Sequence, residues 1–141
     1  MTLQEEVGQK MILGTATDQD ILAAEWDWFV VQGKPQSMGK RDGEMVCKYR
    51  AGKSKRCAVG IFIPDNRYKR EMEGGDLNDL FDLDDGCMLE FIKYRDLLSD
   101  LQDAHDGDRS PADFAVYMKR TLLMLGYKEK EVENADSITV I

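Results

Sequence analysis

With 141 residues and 16.1 kDa, the chain is long enough to bury roughly two thirds of its unfolded surface around one core. A composition of 43% apolar and 33% charged residues, with mean hydropathy −0.47, excludes wholesale disorder and an integral membrane protein. A formal charge of −8 and a pI near 4.7 exclude general, sequence-independent binding to nucleic acid, where Lys and Arg must neutralise phosphates.

The opening "MTLQEE" has neither a basic n-region nor an apolar h-region, and no run reaches the roughly 18 apolar residues of a spanning helix. The expectation is a cytosolic protein with no membrane partner. Cys47, Cys57 and Cys87 are an odd number without a dense framework, so reduced thiols are expected.

Thr2 to Glu5 reads as a capping box and Thr17 to Asp20 as its Asp-bearing relative, so each opens a helix. The first runs to about Gly14 with Leu3, Val7 and Met11 on one side, weakened by Gly8 in its interior. The second, over residues 18–32, is apolar around most of its circumference, with Trp26 and Trp28 read as core, and stops at Gly33 before Pro35.

After a polar connection at 34–43 the period becomes that of strands. A turn centred on Gly52 sets Cys47 opposite Cys57, Lys48 opposite Arg56 and Tyr49 opposite Lys55, making the two thiols cross-strand neighbours. Residues 57–63, "CAVGIFI", read as the most buried strand. Residues 66–85 read as an acidic loop with one helical turn. A helix is expected over 87–104 with His105 at the end of its apolar stripe, and another opens at Ser110, Pro111 and Asp113 and ends at Gly126. The tail, 137–141, reads as a short edge strand or a docked end. The expected architecture is a single α+β domain over 1–141: four helices on a small, mostly antiparallel sheet around the Cys47/Cys57 hairpin.

Several motifs fail on inspection. Gly52-Lys53-Ser54 lacks the earlier phosphate-loop glycine, because Cys47 stands there. A calcium loop from Asp82 would place Cys87 at the turn glycine and Lys93 at the bidentate Glu; one from Asp106 would end on Tyr117. Cys47, Cys57, Cys87 and His105 lack the short spacing of a zinc knuckle, so no metal or other cofactor is expected.

Two chemistries stay open. Cys57 beside Lys55 and Arg56 is a candidate nucleophile, with His105 as base and Asp103 or Asp106 orienting it. Residues 40–56 also carry seven cations against Asp42 and Glu44, so they form a basic surface on an acidic body, able to solubilise a hairpin edge or to hold an anion.

"QGKP" (32–35), "CKYR" (47–50), "RCAVGIFIPD" (56–65), Tyr68, "MEG" (72–74) and "LQDAHD" (101–106) together resemble a family of small proteins encoded by tailed bacteriophages and prophages. The resemblance spans about residues 21–121 and picks out Cys47, Tyr49, Arg50, Cys57, Pro64, Asp65, Tyr68, Glu73, His105 and Asp106. It implies an accessory product made in the cytoplasm of an infected bacterium, and it supplies a setting rather than a mechanism.

The expected function is therefore non-enzymatic binding of a host factor, with inhibition of host defence or metabolism. In one mode Asp76, Asp79, Asp82, Asp84 and Asp85 imitate nucleic-acid phosphates toward a basic host protein. In the other, Arg50, Arg56, Tyr68 and His105 hold a phosphorylated small molecule. The alternative is a small enzyme using Cys57, His105 and Asp106 on a nucleotide or peptide.

Overall fold

Side-chain caps start four of the five α-helices among the described residues. The computed structural model describes residues 1–52, 54–83, 85–107 and 109–129; Asp84 and the expected edge strand at 137–141 lie outside them. Helix α1 (Leu3–Leu13) begins on the Thr2/Glu5 capping box and ends on left-handed Gly14. The Thr17/Asp20 box opens α2 (Asp18–Trp26), which continues as a π-helical segment over Asp27–Val31. Asp76 and Asp79 cap α3 (Leu77–Phe81). Helix α4 (Arg95–His105) instead continues from a 3-10 segment, Leu89–Tyr94, without a side-chain cap. Ser110 caps α5 (Pro111–Met124), with proline at its first turn.

The apolar faces of these helices meet in one cluster. Val7 and Met11 of α1, Ile21 and Leu22 of α2, Leu98 and Leu101 of α4, and Phe114, Met118 and Leu122 of α5 are buried together with Phe29, Phe62 and Phe91. Each such side chain contributes about 1.5–3 kcal/mol through area removed from water. Gly8, unfavourable by propensity, is explained by contact: a Cβ there would lie 2.7 Å from the Phe62 carbonyl oxygen, so only glycine lets α1 lie on that turn. Trp26 is buried and stacks on Tyr127 at 4.7 Å, and half-buried Trp28 packs against the core.

The α+β class holds, but the strands pair differently from the expectation. The longer hairpin joins β1 (Met38–Arg41) to β2 (Glu44–Cys47) and puts Met38, not Cys57, opposite Cys47. Its two-residue turn is Asp42-Gly43, both at positive φ (53° and 84°), the backbone that matches the right-handed twist of a tight hairpin. The Gly52 turn also exists, between β3 (Arg50–Ala51) and β4 (Lys55–Arg56), but its register is Arg50↔Arg56 and Ala51↔Lys55. Cys57 consequently sits beyond that ladder, donating its N–H to the Tyr49 carbonyl at 3.3 Å. The thiols are not cross-strand neighbours.

Residues 57–63 are as buried as expected but are not a strand: they form turns and a 3-10 helix, Gly60–Phe62. A Cβ on Gly60 would collide with the Tyr49 carbonyl, so the chain curls tightly against the end of the hairpin there. No helix among the described residues is long and apolar enough to cross a membrane.

One buried group sits uneasily in this core. Glu25 of α2 is fully buried, and neither carboxylate oxygen has a hydrogen-bond partner among the described residues. Burial raises its pKa well above the usual carboxylate value, so it stays protonated when folded and ionises on unfolding. Its stabilising effect is complete below the unfolded pKa and is lost as pH rises toward the raised folded value. Urea melts of the wild type and Glu25→Gln should diverge from about pH 5 upward, the variant gaining relative stability by up to ~1.4 kcal/mol per pH unit. A difference that stays constant between pH 5 and 8 would show Glu25 to be charged in the folded state.

Candidate functional site

The last turn of α4 delivers His105 into the core rather than into a pocket. Its ring is 0% exposed and lies between Phe29 and Phe114, with centroids 5.8 and 5.4 Å away. The Ser37 N–H donates to Nε2 at 3.0 Å, which fixes the ring proton on Nδ1. Nδ1 then donates to Asp106 Oδ1 at 2.9 Å, an oxygen that also accepts from Gln102 Nε2 at 2.7 Å. Gln102 completes the link by accepting the Val59 N–H at 3.1 Å. Both imidazole nitrogens are occupied, so the ring holds segments together and has no free lone pair for a substrate proton.

The thiols are equally unsuited to nucleophilic attack. Cys57 is 1% exposed, and burial pushes its thiol pKa up despite the Gly60 N–H that its sulfur accepts at 3.2 Å. Cys47 lies beside Met38 Sδ at 3.3 Å and the Asp106 carbonyl at 3.9 Å. Burial, with the Asp106 charge second, pushes its thiol up to about 12. The expected Cys57–His105–Asp106 relay is therefore corrected: His105 and Asp106 do pair, but they approach Cys47, and neither thiol offers a thiolate near neutrality.

Donor atoms of Cys47, His105 and Asp106 lie within 4.8 Å of one another. A metal there would require loss of the Nδ1 proton that Ser37 enforces, and ionisation of a thiol whose pKa is already raised. The cluster is internally hydrogen-bonded and does not present a ligand set.

Arg50, Arg56 and Tyr68 do come together. Arg50 Nη2 donates to Asp65 Oδ1 at 2.7 Å and to the Ile63 carbonyl at 2.9 Å, and the guanidinium lies 4.5 Å over the Tyr68 ring. Tyr68 donates its hydroxyl to Glu73 Oε2 at 2.6 Å; burial and then that bond push its pKa up to about 12. Arg56 stands opposite Arg50 and donates to the Gly52 and Lys55 carbonyls. Burial, then the Arg50 charge, lowers its pKa. His105 belongs to the separate, enclosed network above. The four-residue phosphate pocket is thus not assembled, and Arg50 is already paired.

The acidic segment is largely spent on local structure. Asp76 and Asp79 cap each other's backbone N–H groups at 3.0 and 2.9 Å. Asp82 is the C-cap of α3 through its backbone N–H alone, and its exposed carboxylate makes no hydrogen bond or ion pair among the described residues. Asp85 pairs with Lys69 and accepts the Cys87 N–H at 3.1 Å.

A cleft of about 590 Å³ opens between the β1–β2 hairpin and α4. Arg41, Val46, Cys47 and Lys48 form its hairpin wall; Asp76, the α4 residues Asp96 and Asp103, and the α4 C-cap Asp106 face them alongside Arg95. Tyr49, Cys57, Glu73 and Gln102 also line it. Residues from "CKYR", "RCAVG", "MEG" and "LQDAHD", distant in sequence, therefore converge on one cavity. Its size falls in the usual range for ligand pockets.

Asp96 was not singled out in the sequence, and Asp103 was named there only as an alternative to Asp106 for orienting His105, a role that Asp106 fills. Asp96 and Asp103 are exposed and make no hydrogen bond or ion pair among the described residues, so they are the open charges of this wall. Their i, i+7 spacing puts them on one helix face about 10.5 Å apart, the signal that could have found them. No family model matches the chain, and comparison with curated proteins and with solved structures returned no significant match.

Under native conditions at pH 8, iodoacetamide should modify Cys57 only at the rate of global unfolding. Rapid native-state modification that slowed in His105→Ala would show an activated thiol. That substitution should also cost roughly 3 kcal/mol of stability, through a core cavity and an orphaned Ser37 N–H.

Proposed function

We propose that this chain is a non-enzymatic accessory protein of a bacteriophage that holds a basic segment of a host protein in the cleft between the β1–β2 hairpin and α4. The observation that carries the reading is the wall of that cleft, where Asp96 and Asp103 stand open beside half-engaged Asp76 and Asp106. The resemblance noted in the sequence supports the setting, the cytoplasm of an infected bacterium, and an inhibitory action on host defence or metabolism fits an accessory product.

Of the two binding modes expected, the acidic one has more support, in altered form. The open carboxylates that line the cleft sit on α4, whereas Asp82, open on the loop around Asp79 to Asp85, does not line it. The phosphorylated-ligand mode loses support because His105 is enclosed in the core and Arg50 Nη2 is engaged by Asp65 and Ile63, although Arg50 Nε has no partner among the described residues. The cysteine–histidine enzyme draws none from two protonated thiols and a fully bonded imidazole.

Affinity capture from infected cells tests this directly when the wild type is compared with an Asp96→Asn, Asp103→Asn double variant. Both positions are exposed, so the variant should fold with unchanged melting behaviour. The expected result is a basic partner that is retained by the wild type, released by roughly 0.5 M salt and lost from the variant. A partner held equally by both proteins and insensitive to salt would contradict the assignment.

A further inference from the structure

The hairpin wall of the cleft is a strand edge. The Lys48 N–H donates to the Ser37 carbonyl at 3.0 Å, continuing the β1–β2 ladder and fixing its alternation. In an antiparallel pair, successive residues turn their backbone groups alternately toward and away from the partner strand. Val46 and Lys48 therefore point inward to β1, while Met45, Cys47 and Tyr49 point outward. Tyr49 confirms the direction, since its N–H donates to Glu73, a residue that lines the cleft.

Beyond Tyr49 the edge is bare. The backbone N–H and C=O groups of Met45 and Cys47 have no partner outside the hairpin among the described residues. Consecutive strand residues send side chains to opposite faces, yet Val46 and Cys47 of β2 line the same cavity, together with Lys48 and Tyr49 that follow the strand. A cavity lined by four consecutive residues runs along the edge of the strand, not over one face. Met45 lies just outside the cavity lining and is 57% exposed, so the edge runs on from the cavity toward solvent.

Resting on the function proposed above, we infer that the host segment binds as an added strand: an extended, Arg- or Lys-bearing peptide pairs its backbone with the Met45 and Cys47 groups of β2 and reaches Asp96 and Asp103 with its long cationic side chains. Backbone pairing supplies affinity without regard to sequence, and the acidic wall selects the occupant by charge. The Glu73 carboxylate marks where pairing must stop, because it already fills the next outward N–H. The occupant is a peptide rather than a second copy, since copies paired edge to edge would set two basic hairpins, each carrying Arg41 and Lys48, against each other.

The test uses an acetylated octapeptide alternating arginine and threonine, with a glutamate-for-arginine counterpart as control, titrated calorimetrically into the full chain. Two further peptides carry N-methyl groups on every arginine or on every threonine; one of them must lose the donors that face β2. The expected result is binding of the arginine peptide alone, at least about tenfold weakened in one methylated form and by Met45→Pro in the protein, as a lost backbone hydrogen bond requires. If both methylated peptides bind like the parent while Asp96→Asn and Asp103→Asn still weaken them, strand addition is wrong and the acidic cleft stands. If no arginine peptide binds at all, both readings fall. A concentration-dependent dimer abolished by Met45→Pro would show that the edge belongs to a second copy, and would equally overturn the inference.

Discussion

Glu73 accepts three hydrogen bonds on one carboxylate, from the Tyr49 N–H, the Arg50 N–H and the Tyr68 hydroxyl. Around it the chain is pinned in three places. The strand leaving the long hairpin is stopped, the start of β3 is held, and Tyr68 is positioned beneath the Arg50 guanidinium that in turn grips Asp65 and Ile63. Charge-assisted bonds of this kind are roughly twice as strong as neutral ones, and a half-buried carboxylate with three donors has little freedom left. The cleft inherits its shape from this cross-link, because Glu73 and Gly74 form part of its lining while Tyr49 ends its strand edge.

A second cross-link closes the other end. His105, locked between Ser37 and Asp106, ties the base of the hairpin to the end of α4, and Gln102 ties the same turn to Val59. The residues that looked most chemical in the sequence thus serve to hold the hairpin at a set distance from α4. Asp96, and Asp103 once Asp106 has taken the place beside His105, have no partner among the described residues and are left facing the cavity. Polar groups buried in a core specify geometry when fully satisfied and are inert for the same reason.

Much of the helical frame was legible because its signals are local. Thr2, Thr17 and Ser110 cap the helices they were expected to cap, and Gly14 and Gly126 take the positive φ of helix ends. The hairpin was legible only in part. Asp42-Gly43 carries a strong two-residue turn signal, yet it lay in a stretch read as a polar connection, and the competing glycine at position 52 drew the register to itself. The apolar run at 57–63 could not be told from a buried turn by hydrophobicity alone, since what bends it is the approach of Gly60 to the Tyr49 carbonyl, a contact made across the fold. The site was misread for a related reason: residue type identifies what a side chain could do, whereas burial and hydrogen-bond partners determine what remains free to do it.

The direction in which the β2 backbone faces is the claim on which the cleft, its occupant and the role of Glu73 all rest. Amide hydrogen exchange of the free protein, resolved by residue with NMR, reads that direction without any ligand or substitution. Val46, Lys48, Tyr49 and Arg50 should exchange slowly, and Met45 and Cys47 fast, giving an alternation along β2 that breaks where Glu73 takes over. Slow exchange at Met45 and Cys47, matching Val46 and Lys48, would mean that the edge is already covered and that no strand can be added to it.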